Sequence, residues 1–114
     1  MILYNVTCSV DKDVHEEWYD WMREVHIPDM MRTSLFLEAR ICRIIAEEEG
    51  GISYAVQYLC ASEENYKKYK EEFSAKMQQS HAAKYGQKVA AFRTELEVMY
   101  QARQTDYSQA QNKN

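Results

Sequence analysis

The sequence predicts an α+β domain in which two helices lie on one face of a four-stranded antiparallel sheet. The order strand, helix, strand occurs twice, and the segments are 2–9, 11–26, 36–46, then 52–60, 62–85 and 87–100. A chain of 114 residues with 46% hydrophobic and 28% charged side chains suits a single domain with one core. A βαββαβ order in so short a chain favours a two-layer sandwich.

The first strand and helix follow from two different periodicities. Alternation over 2–9 places Ile2, Tyr4, Val6 and Cys8 on one strand face. Apolar side chains then recur at helical spacing, and they are Val14, Trp18, Trp21, Met22 and Val25. Pro28 has no N–H to donate and restricts the residue before it, so we expect the helix to end or kink there.

The second and third strands are predicted to form a hairpin. Over 36–46, alternation divides the strand into an apolar face (Leu37, Ala39, Ile41 and Ile45) and a mixed face (Phe36, Glu38, Arg40, Cys42 and Ile44). The polar connection at 47–51 ends in two glycines, which tolerate the positive φ of a tight turn. In the third strand Tyr54, Val56 and Tyr58 share the apolar face.

The second helix and the last strand complete the repeat. Ser62 can cap the helix and Gly86 can end it, and its inner face would hold Tyr66, Tyr69, Phe73, Met77 and Tyr85. The last strand places Phe92, Leu96 and Val98 on one side and Arg93, Glu95 and Glu97 on the other. We expect a domain over 1–100 and a disordered tail over 101–114, which has no periodicity.

Two helices can cover only one face of such a sheet, so the opposite face, here called the open face, needs an account. Its predicted residues are neither fully polar nor fully apolar, which suits packing against a second copy of the same sheet. We therefore predict a homodimer through the open face, with an interface at Glu38, Arg40, Gln57, Arg93 and Glu95. A simple solvated face is the alternative.

Composition argues against several partners. The net charge is −4 and the lysines are spread along the chain, which disfavours nucleic acid as the main partner. No apolar run approaches the ~20 residues that a membrane span needs. The start lacks the basic region of a signal peptide, and Cys8, Cys42 and Cys60 form no CxxC pair. We expect buried thiols and a cytoplasmic location.

RNA-recognition modules share the βαββαβ order, but the third strand argues against that function. Such modules stack bases on aromatic side chains that point away from their helices. Here Tyr54 and Tyr58 lie with Val56 on the apolar face, and the opposite face offers Ser53 and Ala55. We therefore expect no nucleic-acid partner.

Metal binding is not expected either. His15 and His26 lie eleven residues apart on one predicted helix, about 16 Å along its axis, which is too far to share an ion. The chain has no HxxxH or HExxH pattern, and no glycine-rich phosphate loop. We predict no metal and no cofactor.

One constellation could carry chemistry. We predict a ligand site near the end of the first helix, formed by Trp18, Trp21, His26, Tyr54 and Tyr58. His26 could serve as a general base or a hydrogen-bonding group near neutral pH, and Arg40 or Arg93 could hold an anion. His26 and Arg40 are thus the catalytic candidates. Two alternatives stay open: His26 could only cap helix carbonyls, and Arg40 could belong to an ion-pair ladder with Glu38 and the last strand.

Five segments also resemble a known family, and they are ILYNVTCSVD, WYDWMREVHIPDMM, FLEARICRII, GISYAVQY and AFRTELEV. The resemblance covers 1–100 and is to an uncharacterised bacterial domain of unknown function in the dimeric α/β-barrel superfamily. It implies a ferredoxin-like fold and dimerisation. Relatives in that superfamily include cofactor-independent monooxygenases, haem-degrading enzymes, muconolactone-type isomerases and stress-response proteins, with sites between sheet and helices.

Three functions remain open at this point. The first is binding of a small molecule, which includes a cofactor-independent enzyme acting on an apolar or aromatic substrate. The second is a non-enzymatic homodimeric interaction module that uses the mixed sheet face. The third is binding of haem or another porphyrin through His81 or His26.

Overall fold

A computed structural model describes residues 1–46 and 50–111, with side chains through 107. The strands are β1 (Ile2–Asp11), β2 (Phe36–Arg43), β3 (Gly51–Cys60) and β4 (Val89–Glu97). The helices are α1 (His15–Trp21), α2 (Ile27–Arg32), α3 (Glu63–Glu72), α4 (Ser74–Tyr85) and α5 (Gln104–Gln111). A π-helical turn (Met22–His26) joins α1 to α2, and a 3₁₀ turn (Gly86–Lys88) precedes β4.

The four strands form one antiparallel sheet in the order β2-β3-β1-β4. The two long strands β1 and β3 pair at the centre over their whole length, from Ile2 opposite Cys60 to Asp11 opposite Gly51. The core lies between the sheet and the helices, and its most deeply buried large side chains are Trp18, Tyr58, Tyr69 and Met30. The predicted α+β, ferredoxin-like architecture is confirmed.

The first helical segment continues past Pro28, where the sequence predicted an end or a kink. It passes through the π turn, where the N–H of Ile27 donates to the carbonyl of Met22, and continues as α2 to Arg32. Pro28 occupies the first turn of α2, the position where a missing N–H and a fixed φ are tolerated. The wide turn just before it gives the ring the room that a regular α-helix would deny it.

The second helical segment is broken, although the sequence predicted one continuous helix. Phe73, with φ −125° and ψ −31°, separates α3 from α4. The predicted ends are confirmed: Ser62 Oγ accepts from the N–H of Asn65 at 3.1 Å, and Gly86 follows α4 with φ +52°. The positive φ expected at the glycine turn is found at Gly50, with φ +81°. Residues 47–49 of that turn lie outside the described part of the chain.

A β-bulge reverses the predicted faces of β2 at its start. The register shifts between Phe36 and Glu38, so Phe36 faces the core and Leu37 is 60% exposed. Beyond the bulge Ala39 and Ile41 pack against the core, as predicted. The bulge adds one residue to β2, which moves the residues before it to the opposite face. The strand ends at Arg43, short of the predicted Ala46.

The prediction of which face of β4 looks toward the helices is wrong. Arg93 pairs with Val6 and Glu95 with Tyr4, on the face of β1 that looks toward the helices. Phe92 and Leu96 instead lie on the open face and are 64% and 43% exposed. Since β4 is an edge strand, both of its faces are partly exposed, and apolar character does not decide which one faces inward.

The end of the chain and the cysteines complete the description. The structure has α5 over Gln104–Gln111, and the hydroxyls of Tyr100 and Tyr107 lie 2.9 Å apart. Residues 112–114 lie outside the described part of the chain, and the disordered tail over 101–114 stays a prediction. All three cysteines are free; Cys8 and Cys60 are buried as predicted, whereas Cys42 is only half-buried. Within 1–46 and 50–111, no helix has the length and hydropathy of a membrane span.

Candidate ligand cavity between helices and sheet

An inner cavity lies between the helices and the centre of the sheet. Its lining residues are Tyr4, Val6, Cys8, Met22, His26, Met30, Val56, Tyr58, Tyr69, Met77, Gln78, His81, Ala91 and Arg93. A mouth groove of about 170 Å³, which also contains Lys70 and Glu95, adjoins it along β4. The cavity and the groove share Tyr4, Tyr69, Gln78 and Arg93, so the two spaces lie side by side.

The cavity is narrow and flexible-walled. The volume open to water is about 30 Å³, enough for about two water molecules. Met22, Met30 and Met77 form much of the wall, and unbranched methionine side chains can repack around a guest. A porphyrin does not fit this space, so the geometry offers no support for haem between His26 and His81.

His26 reaches the cavity because of the π turn. Trp18, Met22, His26 and Met30 are spaced by four, and each step of four in a regular α-helix drifts about 40° beyond a full turn. The wider π turn takes up this drift. Consequently Trp18 and Met30 are both buried, and His26 lies between them on the cavity wall.

The surroundings of His26 keep it uncharged. Its ring stacks on Trp21 with a centroid distance of 5.3 Å, and the His81 ring lies at 6.0 Å. Burial is the main cause that lowers the pKa of His26 to about 4, and His81 and Arg93 lower it further while Asp29 opposes them. At neutral pH His26 therefore presents a neutral imidazole.

His81 is held by a hydrogen bond that selects its tautomer. The indole Nε1–H of Trp18 donates to Nε2 of His81 at 2.9 Å. Burial, with a smaller effect of Arg93, lowers the pKa of His81. A neutral imidazole that accepts at Nε2 carries its proton on Nδ1, so this bond assigns His81 the role of a donor at Nδ1.

Tyr58 brings an unpaired hydroxyl to the cavity wall. Its side chain is 1% exposed, and among residues 1–46 and 50–107 its buried oxygen has no hydrogen-bond partner. Burial raises the pKa of Tyr58 well above its usual value, so the group stays protonated. A buried hydroxyl without a partner is uncommon, because desolvating it is unfavourable by about 1–3 kcal/mol.

Arg93 stands at the mouth on β4. Its Nε–H donates to the hydroxyl of Tyr4 at 3.1 Å. Burial raises the pKa of Tyr4 despite the opposing charge of Arg93, so Tyr4 accepts this bond with its own proton in place. Nearby Glu95 bonds to Lys70 at 3.3 Å.

The sequence-predicted ligand residues divide into three groups. His26 and Tyr58 line the inner cavity. Trp18 and Trp21 lie behind it, where Trp18 bonds His81 and Trp21 stacks on His26. Tyr54 lies elsewhere: its ring contacts Trp18 at 4.8 Å, and it lines a separate surface groove with Tyr19.

The predicted catalytic pair His26 and Arg40 is not brought together. Arg40 pairs with Gln57 on the open face, on the other side of the sheet from His26. Glu38 and Gln57 also lie there, and Gln57 Nε2 donates to Asn5 Oδ1 at 3.3 Å. Arg93 and Glu95, predicted at the same interface, face the helices instead.

Sequence reasoning missed several wall residues. His81 was considered only as a haem ligand, and Arg93 was placed on the wrong face. Tyr4 and Gln78 were not candidates at all. One signal was available: the four-residue spacing of Met22, His26 and Met30 marks a line of inward positions that an α-helix alone would not keep.

The comparisons with known proteins concern the fold and the family. A protein of the ethyl tert-butyl ether degradation (EthD) family from Bacillus halodurans superposes with a TM-score of 0.62 at 14% identity, over 87% of this chain and 100% of that one. A dimeric ferredoxin-like protein from an uncultured marine organism gives 0.66 at 11% identity, over 90% and 99%.

At such low identity these two structures establish the fold alone. No curated protein sequence matches the chain. A sequence profile described as a domain of unknown function, DUF4286, matches residues 1–99 of the 114 in the chain. The chain therefore belongs to the DUF4286 family.

Proposed function

We propose that this protein binds a small, largely apolar molecule in the inner cavity, as part of a homodimer formed through the open face. The observation that carries the proposal is the unpaired hydroxyl of Tyr58, which is buried on the wall of a cavity that adjoins a surface groove. A bound molecule with a polar atom near Tyr58 would satisfy this hydroxyl. The three methionines would pack against the apolar remainder.

The residues that line the inner cavity are also compatible with an enzyme that acts on the bound molecule. His26 is neutral at physiological pH and could accept a proton from a bound substrate, while Tyr58 and His81 could donate hydrogen bonds to an oxygen that gains charge. One fold neighbour belongs to a family named for the degradation of an ether. That name is in keeping with a small apolar substrate for this chain.

The dimer proposal rests on the open face. Phe92 and Leu96 on β4 expose apolar surface beside Leu3 and Thr7 of β1, and a second sheet could bury it. One fold neighbour is a dimeric ferredoxin-like protein. Glu38, Arg40 and Gln57 would then lie in or around the interface. Three free thiols suit a reducing compartment, and we propose a cytoplasmic location.

Methionine NMR tests the cavity directly. The protein is labelled with ¹³C at its methionine methyl groups and titrated with benzyl alcohol, a small apolar probe with one hydroxyl. We expect the signals of Met22, Met30 and Met77 to shift in a saturable way. Met1 and Met99, which are exposed and do not line the cavity, serve as internal references.

A pair of variants on neighbouring β4 residues controls for specificity. Ala91 lines the cavity, so Ala91→Leu should fill it and weaken the probe-induced shifts. Ala90, its neighbour on the open face, offers the matched change Ala90→Leu, which should leave them unchanged. Equal shifts in both variants, or none in the unaltered protein, would refute the proposed cavity.

A further inference from the structure

We infer that the natural ligand carries an acidic group, a carboxylate in its simplest form, and that Arg93 binds this group at the mouth of the inner cavity. The inference rests on the proposed function and adds the chemical class of the ligand. It begins with a positive charge that has no negative partner at its own site.

Arg93 is the charged residue of the cavity wall. Its recorded side-chain bond is to the hydroxyl of Tyr4, and within residues 1–46 and 50–107 no carboxylate forms an ion pair with it. Glu95 lies two residues away on the same face but pairs with Lys70. A guanidinium has five N–H donors in a planar fork, so most of its donors remain available for an anion.

The inner cavity wall beside Arg93 offers donors and no acidic side chain, and Glu95 of the mouth groove is paired with Lys70. None of the fourteen residues that line the inner cavity is an aspartate or a glutamate. Tyr4 accepts from Arg93 and can therefore donate its own proton to a third group. The Nδ1–H of His81 and the hydroxyl of Tyr58 add two further donors on the same wall.

The pKa shifts of the two histidines indicate the sign of the electrostatic potential in the cavity. Arg93 contributes to the lowered pKa of both His26 and His81, so its positive charge acts across this space. Burial is the larger cause of both shifts, and the charge of Arg93 adds to it, so within the cavity this charge favours an anion over a cation. Because the chain as a whole is acidic, with a net charge of −4, this local preference runs against the overall charge.

This arrangement implies one orientation of the ligand, with its acidic end at the mouth and its apolar end in the interior. The acidic group would lie between Arg93 and Tyr4, where β4 is open to solvent and desolvation is incomplete. The apolar body would extend toward Met22 and Met30, and a polar atom at its inner end could meet Tyr58. The class is therefore a small apolar or aromatic acid.

Two probes of similar shape separate this inference from the proposed function. Benzoate and benzyl alcohol are titrated into the methionine-labelled protein, and their dissociation constants are compared. We expect benzoate to bind about tenfold more tightly, as one charge-assisted contact at a partly exposed site would give. If benzyl alcohol binds equally well or better, the acidic class is wrong while the cavity proposal stands. If neither binds, the cavity proposal itself fails.

Substitutions of Arg93 and Arg40 test whether Arg93 supplies the positive charge that binds the acidic group. Arg93→Gln should remove the advantage of benzoate and leave benzyl alcohol within about twofold, and added salt should weaken benzoate binding in the unaltered protein but not in Arg93→Gln. Arg40→Gln, a matched change on the open face, should preserve the tenfold preference. Arg93→Lys keeps the charge and should retain part of it, which provides a second measurement if Arg93→Gln does not fold. An unchanged preference in either Arg93 variant would overturn the assignment.

Discussion

The two faces of the sheet are built from the same strands but carry different roles. On the face toward the helices Trp18 is 0% exposed, and the cavity wall holds two neutral histidines and an unpaired tyrosine hydroxyl. On the open face Phe92 is 64% exposed, beside polar residues such as Asn5 and Gln57. The contrast teaches that the covered face supplies the stability of the monomer and the site. The open face adds little to the stability of the monomer, and its exposed side chains are available for contact with a second copy.

Truncation of the most buried side chain should give the largest difference between the faces. Trp18→Ala removes a fully buried ring and leaves Nε2 of His81 without its donor, so we expect a loss of about 4 kcal/mol in the free energy of unfolding. Phe92→Ala on the open face should change it by about 0.5 kcal/mol or less in the monomer. Urea unfolding of both variants at a concentration that favours monomers measures the contrast, and similar losses would contradict it.

Lowering the pH should reduce the free energy of unfolding because His26 is buried on the covered face. The unfolded chain protonates this histidine as the pH falls below its ordinary value of 6.5, whereas the folded chain does so only near a pKa of about 4. The free energy of unfolding should therefore decrease between these two values, by about 3 kcal/mol. His81 acts in the same direction.

Chemical denaturation at several pH values measures the acid effect. Carboxylates also titrate in this range, so His26→Gln is the comparison. It should show a smaller loss of stability on going from pH 7 to pH 4. The same loss in both proteins would mean that His26 is not protected from protonation in the folded state.

Charge on the open face should act on association more than on folding. Phe92→Asp would enter a symmetric interface twice, and we expect dimerisation to weaken by about 2 kcal/mol. Analytical ultracentrifugation over a concentration series measures this change. Val25→Asp, an exposed apolar position on the helical side, should leave association unchanged. A monomer in the unaltered protein at all concentrations would contradict the proposed dimer.

The smallest change in the free energy of unfolding is expected at the mouth groove, where the helix-covered face of the sheet meets solvent. Glu95 and Lys70 form an ion pair at the mouth groove, and both side chains are about half exposed. Glu95→Gln should therefore change the free energy of unfolding by about 0.5 kcal/mol or less. A loss several times larger would show that β4 is as thoroughly covered as the centre of the sheet.

The sequence predicted the central elements well because their patterns have one interpretation. In β3, the alternation of Tyr54, Val56 and Tyr58 with small or polar residues leaves no doubt about the inner face, and all three are buried. Ser62 and Gly86 mark helix ends through side-chain capping and a positive φ, which are local effects. Local chemistry and a strongly buried face are enough to predict this much.

The edges were harder to predict because alternation shows which residues share a face, not which face is covered. In β4, Phe92 and Leu96 are the apolar set, yet pairing with β1 directs Arg93 inward. A single bulge after Phe36 similarly exchanges the faces at the start of β2. Both outcomes depend on register between distant segments, so the candidate site could not be predicted beyond His26 and Tyr58.

The π turn has a consequence for how sequences of this family should be aligned. A one-residue deletion inside an α-helix normally rotates everything after it by about 100° and is disruptive. Here the turn already holds one residue more than a regular helix needs between Trp18 and Met30. A homologue could lose that residue and keep both side chains buried. A gap at 22–26 would then signal a changed cavity wall on an unchanged fold.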